Sequence, residues 1–82
     1  MDKRIGVVGI IIESEDAVDA VNTTLHSYRD IIAGRMGLPY RERGCSVISL
    51  IVDADSDRIS ALTGTLGKIT GVSVKSALQK NK

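Results

Sequence analysis

The sequence predicts an α+β architecture in the order β-α-β-β-α-β, with a four-stranded antiparallel sheet carrying both helices on one face. Three observations predict it. Residues 58–76 read as an amphipathic helix, a glycine stop and a Val-rich strand, and the same strand-helix-strand pattern already occurs once over residues 4–38. Between the two units lie a polar turn over residues 39–44 and a clear strand over residues 45–53.

The first strand is expected over residues 4–12, a Val/Ile run interrupted by Gly6 and Gly9. Ser14, Glu15 and Asp16 follow as helix-start residues, offering acceptors and negative charge to the free N–H groups of a first turn. The first helix then carries Val18, Val21, Leu25 and Tyr28 at spacings that put them on one face. The second strand is placed over residues 30–38, where Gly34 and Gly37 weaken the pattern. A polar turn over residues 39–44 leads to a third strand over residues 45–53. Asp53, Asp55, Ser56 and Asp57 are candidate caps for the second helix, whose stripe is Ile59, Leu62, Leu66 and Ile69. Gly67 and Gly71 are expected to supply left-handed positions that end it. Val72 and Val74 alternate with Ser73 and Lys75 in a last strand with one face buried. With right-handed crossovers this order is the ferredoxin-like βαββαβ open-faced sandwich.

The 82 residues are expected to form a single domain, residues 1–82, near the size at which a lone core becomes marginal. Since only one face of the sheet lies under helices, one set from Ile5, Val7 and Ile11 or Val8, Ile10 and Ile12 must face away. The same holds for Val47 and Ile51 against Ile48, Leu50 and Val52. Such a face, left wet, is larger than monomers usually expose, so a homo-oligomer, dimer or tetramer, is expected to bury it.

Eleven basic and ten acidic residues leave a net charge of +1, which gives no broad footprint for nucleic acid. Arg35, Arg41, Arg43 and Lys68 are the residues a direct nucleic-acid contact would use. Two tyrosines without Phe or Trp argue against base-stacking platforms. The apolar run at residues 5–12 is too short for a membrane span and has no cleavage signal, so a cytoplasmic location is expected. Cys45 is the sole cysteine, which excludes an intrachain disulfide.

No catalytic set assembles, and enzyme activity is not expected. Asp53, Asp55 and Asp57 imitate the start of a calcium loop, but Arg58 and Gly64 stand where its glycine and glutamate belong, so helix capping is the better reading. Gly64, Gly67 and Lys68 lack the spacing, the following Ser or Thr and the following helix of a phosphate loop. His26 and Cys45 are too few for a closed metal site in one chain, so they would bind metal only at a subunit interface. Tyr40, Arg41 and Glu42 are the candidate ligand contacts, because a Tyr and alternating charges on a turn can recognise a polar ligand. No cofactor is implied, and the small ligand or partner protein stays unidentified.

Met36, Gly37, Leu38, Pro39, Tyr40, Arg41 and Glu42, the strand at 47–53, and the segment 57–76 with its Leu62-Thr-Gly-Thr-Leu-Gly-Lys-Ile-Thr-Gly-Val72 run together resemble the iron-only hydrogenase system regulator family. The resemblance implies a ferredoxin-like fold related to ACT domains and to the C-terminal domain of nickel-responsive repressors. It also implies a role in transcriptional or metabolic regulation, linked by name to iron-only hydrogenase. With the first strand starting at Arg4, no ribbon-helix-helix segment is expected ahead of it. The repressors' metal site takes three histidines and a cysteine; His26 and Cys45 stand in matching places, whereas Arg35, Met36 and Gly37 supply no histidine. The first turn, Ile12 followed by Glu13, Ser14, Glu15 and Asp16, lacks the glycine at which ACT domains bind amino acids.

Overall fold

A computed structural model describes residues 3–80. Strands β1 (Lys3–Ile12), β2 (Ile32–Tyr40), β3 (Cys45–Asp55) and β4 (Val72–Leu78) form one sheet in the order β2-β3-β1-β4, with every neighbouring pair antiparallel. Helix α1 (Val18–Ser27) joins β1 to β2, and α2 (Ser56–Gly67) joins β3 to β4. The ferredoxin-like prediction is correct.

Alternation along the central strands decides which face is covered. Val8, Ile10 and Ile12 of β1, and Ile48, Leu50, Val52 and Ala54 of β3, are buried beneath the helices. Val21 and Leu25 of α1 meet them from above, as do Ile59, Leu62 and Leu66 of α2. Val18, Tyr28 and Ile69, the remaining members of the two predicted stripes, are half-buried and pack against this core. Every large core side chain is aliphatic, each contributing roughly 1.5–3 kcal/mol by leaving water.

The start of α2 follows from Asp55, whose carboxylate accepts from the Arg58 backbone N–H at 2.8 Å. Of the four candidate caps, it is the one whose extended backbone at the strand end turns its side chain back onto the helix. At α1 the expected side-chain cap does not form. Ser14 instead lends its carbonyl to Ala17 N–H at 3.0 Å, closing a 3-10 turn over Glu15–Ala17 before the α-helix begins. Glu15 and Asp16 still place negative charge at that end.

Two local expectations need correction. Gly67 is the last residue of α2 and has no left-handed backbone; among the described residues only Gly44 (φ 66°) and Gly71 (φ 84°) do. Gly71 shapes the entry to β4, where its carbonyl accepts from Glu13 N–H at 2.8 Å, and a Cβ there would lie 2.8 Å from the Ser14 Cβ. The second strand begins at Ile32 rather than residue 30, because Arg29–Ile31 close a 3-10 turn, and it runs on through Pro39 and Tyr40. Proline is tolerated there because β2 is an edge strand.

Candidate functional site

The uncovered face of the sheet is the most distinctive surface. Cross-strand pairing sets Leu38 opposite Val47 and Val47 opposite Ile11, and sets Gly34 opposite Ile51 and Ile51 opposite Val7. Among the described residues the exposed large apolar side chains are Ile5, Val7, Ile11, Met36, Leu38, Tyr40 and Ile51. All seven belong to the alternating sets that point away from the helices. The five Val and Ile residues anticipated from the sequence are there, Val47 being half-buried. Met36, Leu38 and Tyr40 extend the patch across β2. Between the two apolar rows runs a shallower one, where Lys75 pairs with Gly9, Gly9 with Ser49, and Ser49 with Met36.

The predicted ligand contacts are consecutive residues with different surroundings. Tyr40 closes β2 opposite Cys45 and joins the apolar face. Arg41 and Glu42 lie in the 3-10 turn Arg41–Arg43, which Gly44 ends by donating its N–H to the Arg41 carbonyl at 3.1 Å. Arg41 lines a cleft of about 560 Å³ between this turn and the start of α1, facing Ser14, Glu15 and Asp19, with Ser46 and Cys45 beside it. Tyr40 and Glu42 do not line it. In the sequence Glu15 reads only as a helix-start residue, and Asp19 carries no signal at all. Their presence opposite Arg41 depends on the end of β1 and the end of β2 lying at the same end of the sheet, which only the topology shows.

His26 and Cys45 do not meet within one copy. His26 is exposed on α1 and lines a different cleft with Arg29 and Arg35. Half-buried Cys45 falls in the same alternating set as Val47 and Ile51, at the strand end where it also lines the cleft with Arg41. Among the described residues no three His, Cys, Asp or Glu side chains are grouped to hold a metal ion, so a single copy does not fit a closed nickel site. No described helix is long and apolar enough to cross a membrane.

A ferredoxin-like sheet with an apolar open face and a charged cleft at one end defines the class: a small α+β module of one sheet layer and one helix layer. Residues 4–76 match the TM1266-like family, described as "Iron-only hydrogenase system regulator, putative", and the chain belongs to it. The structure of uncharacterized protein TM1266 from Thermotoga maritima superposes with a TM-score of 0.92 at 39% identity, covering 96% of this chain and all of that one. A protein of Saccharolobus islandicus described as "Putative nickel-responsive regulator" is 27% identical over 67 residues, 82% of this chain and 50% of its own length. The chain therefore spans about half the length of the curated relatives it matches. The nitrogen regulatory PII-like protein CPII from Thiomonas intermedia, in a structure with ADP, AMP and bicarbonate, shares the fold at a TM-score of 0.51 and 12% identity, covering 98% of this chain and all of that one.

Proposed function

We propose that this chain is a non-catalytic regulatory module that assembles with copies of itself through the open sheet face and senses a small ligand or partner protein at the sheet end that carries the Tyr40 to Glu42 turn. The observation that carries the reading is the confinement of all seven exposed large apolar side chains to one face. Their combined exposure is several hundred Å², the scale of a functional patch and of one partner's share in a stable interface. A second copy is the occupant that every molecule of this protein meets at its own concentration. Membership of a regulator family supports the regulatory part of the reading.

In such an assembly Tyr40 stands at the rim of the apolar face while Arg41 and Glu42 follow it in the turn, with Arg41 at the cleft. A ligand bound at Arg41 therefore sits one residue from the interface and can alter how two copies meet. A link to iron-only hydrogenase expression would then run through a protein partner, since the net charge of +1 gives little general attraction to DNA.

A metal reading rests on the same assembly. His26 and Cys45 line different clefts of one copy, so a shared ion needs His26 from one copy and Cys45 from another, with a third donor.

Native mass spectrometry of freshly purified protein tests the proposal, because one spectrum reports subunit number and any retained mass. A dimer or tetramer is expected, and a retained metabolite mass that disappears in Arg41→Gln would place the ligand at the turn. A monomer at micromolar concentration would overturn the assembly.

A further inference from the structure

The edge of the sheet formed by β2 carries a second cleft that the regulatory reading does not use. The register of β2 against β3 slips between Ile32 and Gly34. Such bulges bend an edge strand and are over-represented beside functional sites. Between this bulge and α1 lies a cleft of about 420 Å³, within the range of small-ligand pockets. Leu25 and Ile32 supply its apolar part, and Asn22, His26, Arg29 and Arg35 supply its polar part.

The charge of this lining is one-sided. It holds two guanidinium groups, an imidazole and an amide, and no carboxylate. Asp30, adjacent to Arg29 in the chain, is taken by Arg58 through two hydrogen bonds of 3.1 Å. Among the described residues neither Arg29 nor Arg35 forms an ion pair with a carboxylate. Their hydrogen bonds orient them without neutralising them, and the one carboxylate charge that acts on Arg29, that of Asp30, is shared with Arg58. Arg29 Nη1 donates to the His26 carbonyl at 2.9 Å, covering an oxygen at the negative end of α1 that would otherwise repel an anion. Arg35 Nη2 donates to Asn22 Oδ1 at 3.5 Å, which leaves the Asn22 Nδ2 group as a donor.

We propose that this cleft binds a small phosphorylated metabolite. Its phosphate is held by Arg29 and Arg35, whose planar forks match phosphate oxygens. Asn22 and the His26 ring add donors, and the organic part lies on half-buried Ile32 beside Gly34. The site belongs to a single copy and stands whether or not the open face assembles.

The test is an NMR titration of the isotope-labelled full chain with inorganic phosphate at constant ionic strength, sodium chloride serving as the balancing salt. Saturable shifts in the millimolar range are expected at the amides of Asn22, His26, Arg29 and Arg35 and at the two arginine side chains. Arg29→Gln with Arg35→Gln should weaken binding by about tenfold or more. Arg35→Lys, which keeps the charge and loses the fork, should fall between. Lys68→Gln, which removes an exposed positive charge beyond the end of α2 and outside the cleft, should bind as the natural sequence does. Since Arg29, Arg35 and Lys68 are exposed, a dispersed spectrum of each variant will show that it is folded. Linear, unsaturating shifts, or shifts of equal size at Lys68, would overturn the proposal. So would duplex DNA moving these same resonances where phosphate does not, which would reassign the edge to nucleic acid.

Discussion

Arg58 holds Asp30 by two parallel hydrogen bonds of 3.1 Å while its guanidinium lies 5.4 Å from the centroid of the Tyr28 ring. The pair clamps the first turn of α2 to the connection between α1 and β2. The same Arg58 supplies the backbone N–H that Asp55 caps, so one residue starts the helix and fixes its neighbour.

The clamp makes a pH prediction. The hydrogen bond from Arg58 holds the Asp30 carboxyl below its ordinary value of 3.8, with the positive charge of Arg58 acting in the same direction. A lowered folded-state value means that the contribution to stability is complete above pH 3.8 and is lost as pH falls through the folded-state value. Both groups are exposed, so the contribution is small and weakened by salt. A carboxylate NMR titration should show Asp30 titrating below 3.8, and rising toward it in Arg58→Gln.

Gly71 is a glycine whose replacement should be costly on two counts. Its φ is 84°, and a methyl group added to its Cα would stand 2.8 Å from the Ser14 Cβ, so Gly71→Ala faces both backbone strain and a clash. A loss of about 1–3 kcal/mol is expected. In a domain of this size that lowers Tm by several degrees per kcal/mol. Gly64→Ala, in the interior of α2 with no atom within 4 Å of the added carbon, should be neutral or stabilising in the same thermal melt.

Leu50 and Ile51 are neighbours in sequence on opposite faces, 0% and 48% exposed. Leu50→Ala should destabilise the fold by about 2–5 kcal/mol by opening a cavity. Ile51→Ala should leave the unfolding free energy of a single copy nearly unchanged and weaken assembly instead. Chemical denaturation in a Leu38→Asp background, compared with sedimentation in the native background, separates the two effects.

For the metal reading, nickel added to purified oligomer should shift the resonances of His26 and Cys45 together, and His26→Ala should abolish the shift at Cys45. If Cys45 responds unaltered in His26→Ala, the two residues do not share an ion.

The helical stripes are legible in the sequence because Val18, Val21, Leu25 and Tyr28, like Ile59, Leu62, Leu66 and Ile69, recur at the helical period. The open face is legible in β1 and β3, where both alternating sets are apolar. It is not legible in β2, because Gly34, Gly37 and Pro39 break the alternation that would place Met36, Leu38 and Tyr40 on it. Tyr40 therefore reads as part of a polar turn. Gly67 and Gly71 cannot be ranked from sequence, since the left-handed position depends on where β4 must begin to reach β1. The two clefts are hidden for a related reason: Arg41 and Asp19 line one, and Arg35 and Asn22 the other, because the fold lays the end of β2 near the start of α1 and the start of β2 beside α1. Which of four acidic or hydroxyl residues caps α2 is likewise set by the strand length of β3, which ends at Asp55.

Assembly of copies through the open sheet face is the step on which the regulatory reading depends. Sedimentation velocity across a micromolar concentration series, run on the natural sequence and on the Leu38→Asp, Ile51→Asp double variant, decides it. A dimer or tetramer is expected for the former and a folded monomer, with unchanged far-ultraviolet circular dichroism, for the latter. A natural sequence that sediments as a monomer throughout, or a double variant that assembles as before, would refute assembly through this face.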